Sequence, residues 1–389
     1  MKQPKLKFVD LFAGAGGMSN GLEQAGFECI LGVDFDKAAM ATFKHNHTSA
    51  EVFVGDIGEL SKAELLKLTR GVTVDFVCGG PPCQGLSTVG KGIPDDPRNY
   101  LFKQFVRIVK VLEPQYVIVE NVTGLMGSKN EPILVGILNE FSKMGYDLTP
   151  RVLQAHHYGV PQRRRRTILI GNKRGYANLH PEPAYEFGHP TLPPPVTVGD
   201  VLGKLKDRKG QTHNHSVAGA GIKAEIDRQR IALVPEGKSI RYQEDEEAYL
   251  PKRLRLDVDW STIAEGRLRQ EKYKRLDRSL PSQTIMTDSH TYYHPIEDRY
   301  LTVREAAVIQ SFPNDFVFLG TTTQQWRQIG NAVPPLLARA IGMSLLAMHT
   351  QRKKAEAGRP TIAQIRKFAF DYKPKRRPKD DHQLQLFMD

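Results

Sequence analysis

Asp10-Leu11-Phe12-Ala13-Gly14-Ala15-Gly16-Gly17 closes a short apolar run, residues 7–12, and opens a helical stretch that reaches Ala25 and stops at Gly26. An apolar run, a glycine-rich turn and a helix make a strand–turn–helix unit. Glycine at the turn lets the backbone reverse sharply and approach a ligand closely. As a dinucleotide fingerprint the stretch reads Gly14-x-Gly16-x-x-Ser19 and lacks the third glycine. A hydride-transfer domain and a plain tight turn both stay open on this stretch alone.

The unit repeats outward from there. Residues 28–33, 51–54, 74–78 and 116–119 read as strands; 36–45, 62–68, 101–112 and 132–144 read as helices. Two further strands fall near 152–155 and 167–170. Strand, crossover helix and strand in alternation predict an α/β fold, a parallel sheet with helices on both faces. Ligands of such sheets bind beyond the carboxyl ends of the strands.

Those ends carry unusual residues. The second strand runs into Asp34-Phe35-Asp36, where a carboxylate can accept both hydroxyls of a ribose and Phe35 can lie against a purine. The third leads to Asp56-Ile57, an acceptor for an exocyclic amine. Taken singly, these residues read as helix caps or core; together on one sheet edge they look like a nucleoside pocket without a phosphate-binding demand. The fourth ends in Gly80-Pro81-Pro82-Cys83-Gln84-Gly85-Leu86-Ser87. A cysteine after two prolines of fixed φ is presented to a ligand, whereas Cys29 and Cys78 read as inert core thiols. The fifth ends in Glu120-Asn121-Val122. A thiol nucleophile beside a carboxyl group predicts covalent catalysis with acid assistance, provided the two strands are neighbours.

Composition sets the outer bounds. The chain has 389 residues, 40% of them hydrophobic and 25% charged, which excludes wholesale disorder and collagen-like structure. Three cysteines build no disulfide framework, and no CxxC zinc spacing occurs. The pairs His45/His47 and His213/His215 lack acidic or cysteine partners, so no metal is expected. No stretch reaches about 18 apolar residues, so a membrane partner is not expected and the chain reads as reduced and intracellular. The net charge is +12, and residues 351–389 carry 11 basic against 5 acidic residues, half of that excess. A polyanionic partner follows from this balance, as does a merely solubilising tail.

The ordered set of segments is similar to that of the cytosine-C5 DNA methyltransferases of bacterial type. The matching segments are 10–17, 34–36, 56–57, 80–87, 98–102, 120–122, 162–166, 301–313 and 328–335. The resemblance implies a Rossmann-like, S-adenosylmethionine-dependent methyltransferase sheet with a second, smaller, irregular target-recognition domain. It implies Cys83 as the nucleophile toward cytosine C6, Glu120 as the acid at N3, Arg166 near O2 and Arg164 in support. Phe12, Gly14, Gly16, Gly17, Asp34, Phe35, Asp56, Ile57, Leu101 and Asn331 would surround S-adenosylmethionine, leaving S-adenosylhomocysteine as product. Asp34 stands where many relatives have Glu.

The same resemblance divides the chain into a catalytic domain at 1–185 and 326–350, a recognition domain at 186–325 and a tail from 351. Prolines crowding 181–195 agree with the first boundary. Gln84, Ser87, Arg253, Arg255, Arg267, Arg269, Lys272 and Lys274 are the candidate DNA contacts. The acidic run Glu244-Asp245-Glu246-Glu247 is expected to face solvent, and Arg304-Glu305 to brace the recognition region. In the tail, Gln383, Leu384, Leu386 and Phe387 resemble the peptide by which bacterial proteins dock on the DNA sliding clamp. The implied setting is a cytoplasmic, nucleoid-associated monomer acting on duplex DNA, with a cognate restriction endonuclease as functional partner. Two rivals share the fold: a tRNA cytosine methyltransferase, disfavoured because no Cys follows residue 83, and a DNA-binding repressor.

Overall fold

The computed structural model describes residues 5–82, 100–173, 175–205, 212–262 and 272–351. Seven strands form one sheet: β1 Lys7–Leu11, β2 Glu28–Asp34, β3 Glu51–Val54, β4 Phe76–Gly79, β5 Tyr116–Asn121, β6 Asp147–Gln154 and β7 Arg165–Asn172. Their order is β3-β2-β1-β4-β5-β7-β6. Helices α1 Gly17–Gln24, α2 Lys37–Asn46, α3 Lys62–Leu68, α4 Tyr100–Leu112 and α5 Glu131–Lys143 alternate with the strands as expected.

The first five strands are parallel, but β7 runs antiparallel to both β5 and β6. This corrects the all-parallel expectation. Ten residues join β6 to β7, and they contain one short 3-10 turn in place of a crossover helix. A connection that short returns the chain as a hairpin. β7 thereby enters between β5 and β6, with Glu120 opposite Ile168.

Side-chain alternation sends the strands' residues to two separate cores. Val9, Leu11, Leu31, Val77, Val117 and Val119 pack with α3, α4 and α5. Phe8, Cys29, Phe76, Cys78, Ile118 and Ile170 face the other way, toward α1, α2 and a late helix. In α4 the buried Phe102, Phe105, Val106 and Val109 fall at helical spacing, which seats one face on the sheet. Cys29 and Cys78 are both buried, as expected of core thiols.

Beyond the sheet lie α6 Val198–Leu202, α7 Glu225–Ile231, α8 Gln243–Tyr249, α9 Val303–Ile309, α10 Thr322–Asn331 and α11 Pro335–Gln351. Between 196 and 300 the described residues form short helices and isolated β-bridges but no strand of the sheet, which fits the weak periodicity of that stretch. One apolar cluster there gathers Ile231, Val234, Ile240, Leu250, Leu254 and Tyr293. Glu246 of α8 is buried at its edge and accepts from Trp260 Nε1 (2.8 Å) and from the Leu256 amide. The acidic run is therefore not wholly solvent-facing. A buried carboxylate is tolerable there because two N–H donors replace its water. A second cluster joins Ala15 of the glycine turn to Leu276, Ile285, Phe312, Phe316 and Trp326. Arg304 and Glu305 are buried as well: Glu305 is gripped bidentately by Arg299, and Arg304 Nε donates to His213 O. They hold loops of the irregular region together.

The late apolar helix α11 belongs to the core. Leu337, Ile341, Leu345 and Met348 are buried on it. A Cβ on Gly21 of α1 would lie 2.1 Å from Pro335 O, so the two backbones approach closely only because residue 21 has no side chain.

Candidate active site

The glycine turn takes the shape its composition demands. Phe12, Gly14 and Gly16 have φ of 61°, 55° and 93°. At Gly16 a Cβ would lie 2.3 Å from His47 Nε2, and at Gly17 one would lie 2.5 Å from Val333 O. His47 is a floor residue under the turn, held by Glu23 through Nδ1 (2.7 Å). Above Gly14 a Cβ would meet nothing within 4 Å. The turn is thus packed beneath and open on top, which is the form of a ligand cradle.

Asp34 stands at the end of β2. Its Oδ2 accepts from the Gly14 amide and its Oδ1 from the Asp36 amide, both at 2.9 Å. Burial raises its carboxyl despite those two donors. Phe35 beside it is 75% exposed, a large aromatic face with little cover. Asp36 caps α2 instead of facing the turn, and Arg327 of α10 pairs with it at 2.7 Å. β3 lies next in register, and the Gly55 amide donates to Asp34 O (3.1 Å), so Asp56 and the buried Ile57 follow close by. An open glycine turn, an exposed aromatic face and two carboxylates at adjacent strand ends fit an adenosine group. Leu101 packs against the core from the first turn of α4. Asn331 ends α10, and the Ala332 side chain and Val333 O that follow it close against Gly17.

The second half of the site lies where β4, β5 and β7 end. β4 and β5 are neighbours, with Gly79 opposite Val119. That meets the condition set on Cys83 and Glu120, although Cys83 itself lies outside the described residues. Glu120 Oε1 pairs with Arg166 Nε at 2.8 Å. A Cβ on Gly80 would lie 2.8 Å from Glu120 Oε2, and Asn121 Nδ2 donates to Pro81 O at 3.1 Å. The carboxyl of Glu120 thus lies beside Gly80, three residues before Cys83, while its neighbour Asn121 holds Pro81. Burial raises it above the usual glutamate range, while Arg166 and then Arg164 oppose the shift.

Arg164 is 1% exposed, and among the described residues its Nε and Nη1 meet no hydrogen-bond partner. Burial pulls its guanidinium down, to about 9. Gln162 locks the segment: its Oε1 accepts from the Ile285 amide, and its Nε2 donates to Gln310 Oε1. Gln310 also donates to Ile329 O and Ala332 O. Sequence reading did not single out Gln310. Its only signal was a place inside the matching segment 301–313, without a chemistry of its own.

Of the candidate DNA contacts, Gln84, Ser87, Arg267 and Arg269 lie outside the described residues, as do the four of the clamp-like peptide. Arg253 is exposed and reaches Gln229 Oε1 at 3.3 Å; Arg255 pairs with Glu247 at 3.3 Å. Lys272 is exposed, and Lys274 Nζ lies 5.7 Å from the Tyr292 ring centre. Arg275, in the same basic stretch, is buried and donates to Val234 O and Ile231 O, a structural cation.

A Rossmann-like sheet with an antiparallel strand at this position defines the fold class of S-adenosylmethionine-dependent methyltransferases. A family model described as C-5 cytosine-specific DNA methylase matches residues 6–347, and the chain belongs to that family. The Type II methyltransferase M1.HphI of Haemophilus parahaemolyticus is 37% identical over 353 residues, covering 89% of this chain and 88% of that protein. The Type II methyltransferase M.XorII of Xanthomonas oryzae pv. oryzae is 34% identical over 393 aligned positions, covering 90% and 86%. Among solved structures, a prophage-encoded Escherichia coli protein described as a DNA modification methyltransferase aligns with a TM-score of 0.65 at 28% identity, covering 89% and 99%. The reaction of the chain is methyl transfer to C5 of cytosine in DNA, with S-adenosylmethionine as the donor of the family.

Proposed function

We propose that Cys83 is the nucleophile of this reaction, Glu120 its acid and Arg166 the cation that serves both Glu120 and the base. The observation that carries the reading is the Glu120–Arg166 pair beside Gly80, with Asn121 holding Pro81, on the path to Cys83. Cytosine C5 alone is a weak nucleophile. Addition of a Cys83 thiolate at C6 makes C5 enamine-like, and a proton held by Glu120 at N3 takes up the negative charge that addition sends into the ring. Burial favours the protonated acid. Arg166 can hydrogen-bond O2 while it orients Glu120, and the buried charge of Arg164 adds to the field. After transfer, loss of the C5 proton expels the thiolate and restores the aromatic ring. None of this is reachable inside a duplex, so the base is flipped out at a few kcal/mol of unstacking.

Phe12, Gly14, Gly16, Gly17, Asp34, Phe35, Asp56, Ile57, Leu101 and Asn331 would hold S-adenosylmethionine. When bound, it supplies a methyl group made electrophilic by its sulfonium. Asp34 would accept from the ribose hydroxyls, Phe35 would cover the adenine and Asp56 would accept from its amine.

Residues 186–325 would form the DNA-recognition domain, with Gln84, Ser87, Arg253, Arg255, Arg267, Arg269, Lys272 and Lys274 on the DNA. A bacterial restriction–modification setting follows from the Type II names of the relatives, with a cognate endonuclease as functional partner. Gln383, Leu384, Leu386 and Phe387 would dock on the sliding clamp. A pull-down with purified clamp should lose the chain when 382–389 are removed; equal recovery rejects the docking. The central test is a trap. Duplex DNA carrying 5-fluorocytosine, with S-adenosylmethionine, should cross-link to wild type through residue 83. Cys83→Ala should neither cross-link nor methylate, yet bind S-adenosylhomocysteine. Methylation by that variant would overturn the assignment.

A further inference from the structure

Asp56 is held from one side only. Its Oδ1 accepts from Tyr100 Oη at 3.2 Å and from the Gly58 amide at 2.8 Å. Among the described residues no donor reaches its Oδ2. Tyr100 is the first residue of α4 and is 38% exposed, and its phenol reaches Asp56 just past the end of β3. Its phenol rests across Gly58: a Cβ built there would lie 1.5 Å from Tyr100 Oη. One turn of chain, Asp56-Ile57-Gly58, is therefore shaped to admit this ring. A second tie joins the same two elements, because Arg107 Nη2 donates to Ile57 O at 2.8 Å while its Nε donates to Gln104 Oε1 at 2.6 Å. Tyr100 and Arg107 stand two helical turns apart, and α4 is clamped to the turn at both points.

An exposed carboxylate free to rotate presents either oxygen to any ligand. Two donors on the same oxygen fix its plane and leave the other oxygen as a directed acceptor. A directed acceptor favours a purine with an amine at position 6 and opposes one with a carbonyl oxygen there, because two lone-pair atoms would meet without a proton between them. We propose that Tyr100 is a positioning residue that sets the nucleobase selectivity of the cofactor site, by fixing Asp56 to accept from a 6-aminopurine. The inference rests on the reading that Asp56 faces the adenine amine. A phenol that merely propped the start of α4 would affect stability and leave selectivity alone.

Calorimetric titration of the full chain with S-adenosylhomocysteine and with S-inosylhomocysteine separates the two roles. Wild type should prefer the amine. Tyr100→Phe removes one hydrogen bond to a charged group, and should weaken S-adenosylhomocysteine about 5-fold while S-inosylhomocysteine binds equally well or tighter. Gly58→Ala, which pushes the ring away, should lower the selectivity ratio as well, and Tyr100→Phe in that background should lower it no further. Asp56→Asn provides the control on the underlying reading, since its amide can donate to a 6-carbonyl. If Asp56→Asn leaves the ratio at the wild-type value, the placement of Asp56 fails and the inference fails with it. If Asp56→Asn shifts the ratio but Tyr100→Phe and Gly58→Ala do not, Tyr100 alone is overturned.

Discussion

Arg166 Nε and Glu120 Oε1 lie 2.8 Å apart, with side chains 16% and 14% exposed. Burial works against the charge of both: it raises the Glu120 carboxyl and lowers the Arg166 guanidinium, and each partner draws the other back. The acid must hold its proton to act, so activity falls as pH rises through its folded pKa. If Glu120 is the proposed acid, kcat/KM should therefore show an alkaline limb that belongs to it. Arg166→Ala removes the lowering influence and should move the limb to higher pH, along with a rate loss on the order of 100-fold. Glu120→Gln should lose ~10²–10⁴-fold in kcat with S-adenosylhomocysteine affinity nearly unchanged. An alkaline limb that stays put in Arg166→Ala speaks against this coupling.

Gly80→Ala tests the packing of the same carboxyl. The added Cβ would lie 2.8 Å from Glu120 Oε2 and must turn the acid aside. A misplacement of that kind should reduce kcat by about 100-fold with little change in cofactor affinity. Full activity in this variant would mean that Glu120 can act from another rotamer.

Phe35→Ala probes the open face of the cradle. The ring is 75% exposed, so its loss removes little core packing and the melting temperature should barely move. Stacking on a purine is worth about 1 kcal/mol or more, so S-adenosylhomocysteine should bind ~5–10-fold more weakly in calorimetry. Unaltered affinity would place the adenine elsewhere.

Gly21→Ala sets two effects against each other. Alanine favours a helix over glycine by about 1 kcal/mol. The new Cβ, however, would lie 2.1 Å from Pro335 O and 2.8 Å from Arg339 N, backbone atoms that no side-chain rotation can move. Overpacking of that kind costs about 1–3 kcal/mol, more where the backbone must shift. The clash should win, and denaturant unfolding should show a net loss of about 2 kcal/mol. A stabilised variant would mean that α1 and α11 separate freely.

Asp10 gives stability a pH dependence. It is 1% exposed, and Ser19 Oγ donates to it at 2.6 Å. Burial pushes its carboxyl up to about 7, above the 3.8 of an ordinary aspartate. A raised folded pKa contributes stability that is present below about 3.8 and lost as pH rises through about 7. Asp10→Asn has no proton to lose there. Its melting temperature relative to wild type should therefore improve between pH 5 and pH 8, which lie on either side of the folded pKa of about 7. A constant difference across that range would show that Asp10 stays in one protonation state.

The sequence by itself determined the local units and what stands at their ends. Short apolar runs gave the strands, helical spacing the helices, and glycines after Phe12 the open turn, because each of these depends on neighbours a few residues away. Asp34, Phe35, Asp56 and Glu120 were legible for the same reason: they are the residues at which a strand stops. Only the tertiary structure decided which ends meet. β7 runs antiparallel and slips between β5 and β6, which is what brings Arg166 to Glu120 across 46 positions of chain. His47 lies under Gly16, Gln310 locks Gln162, Tyr100 holds Asp56, and Glu246 leaves its acidic run to bind Trp260. Such pairings are fixed by packing and by the cost of leaving a buried polar group without a partner, and both act between residues that chain order keeps far apart.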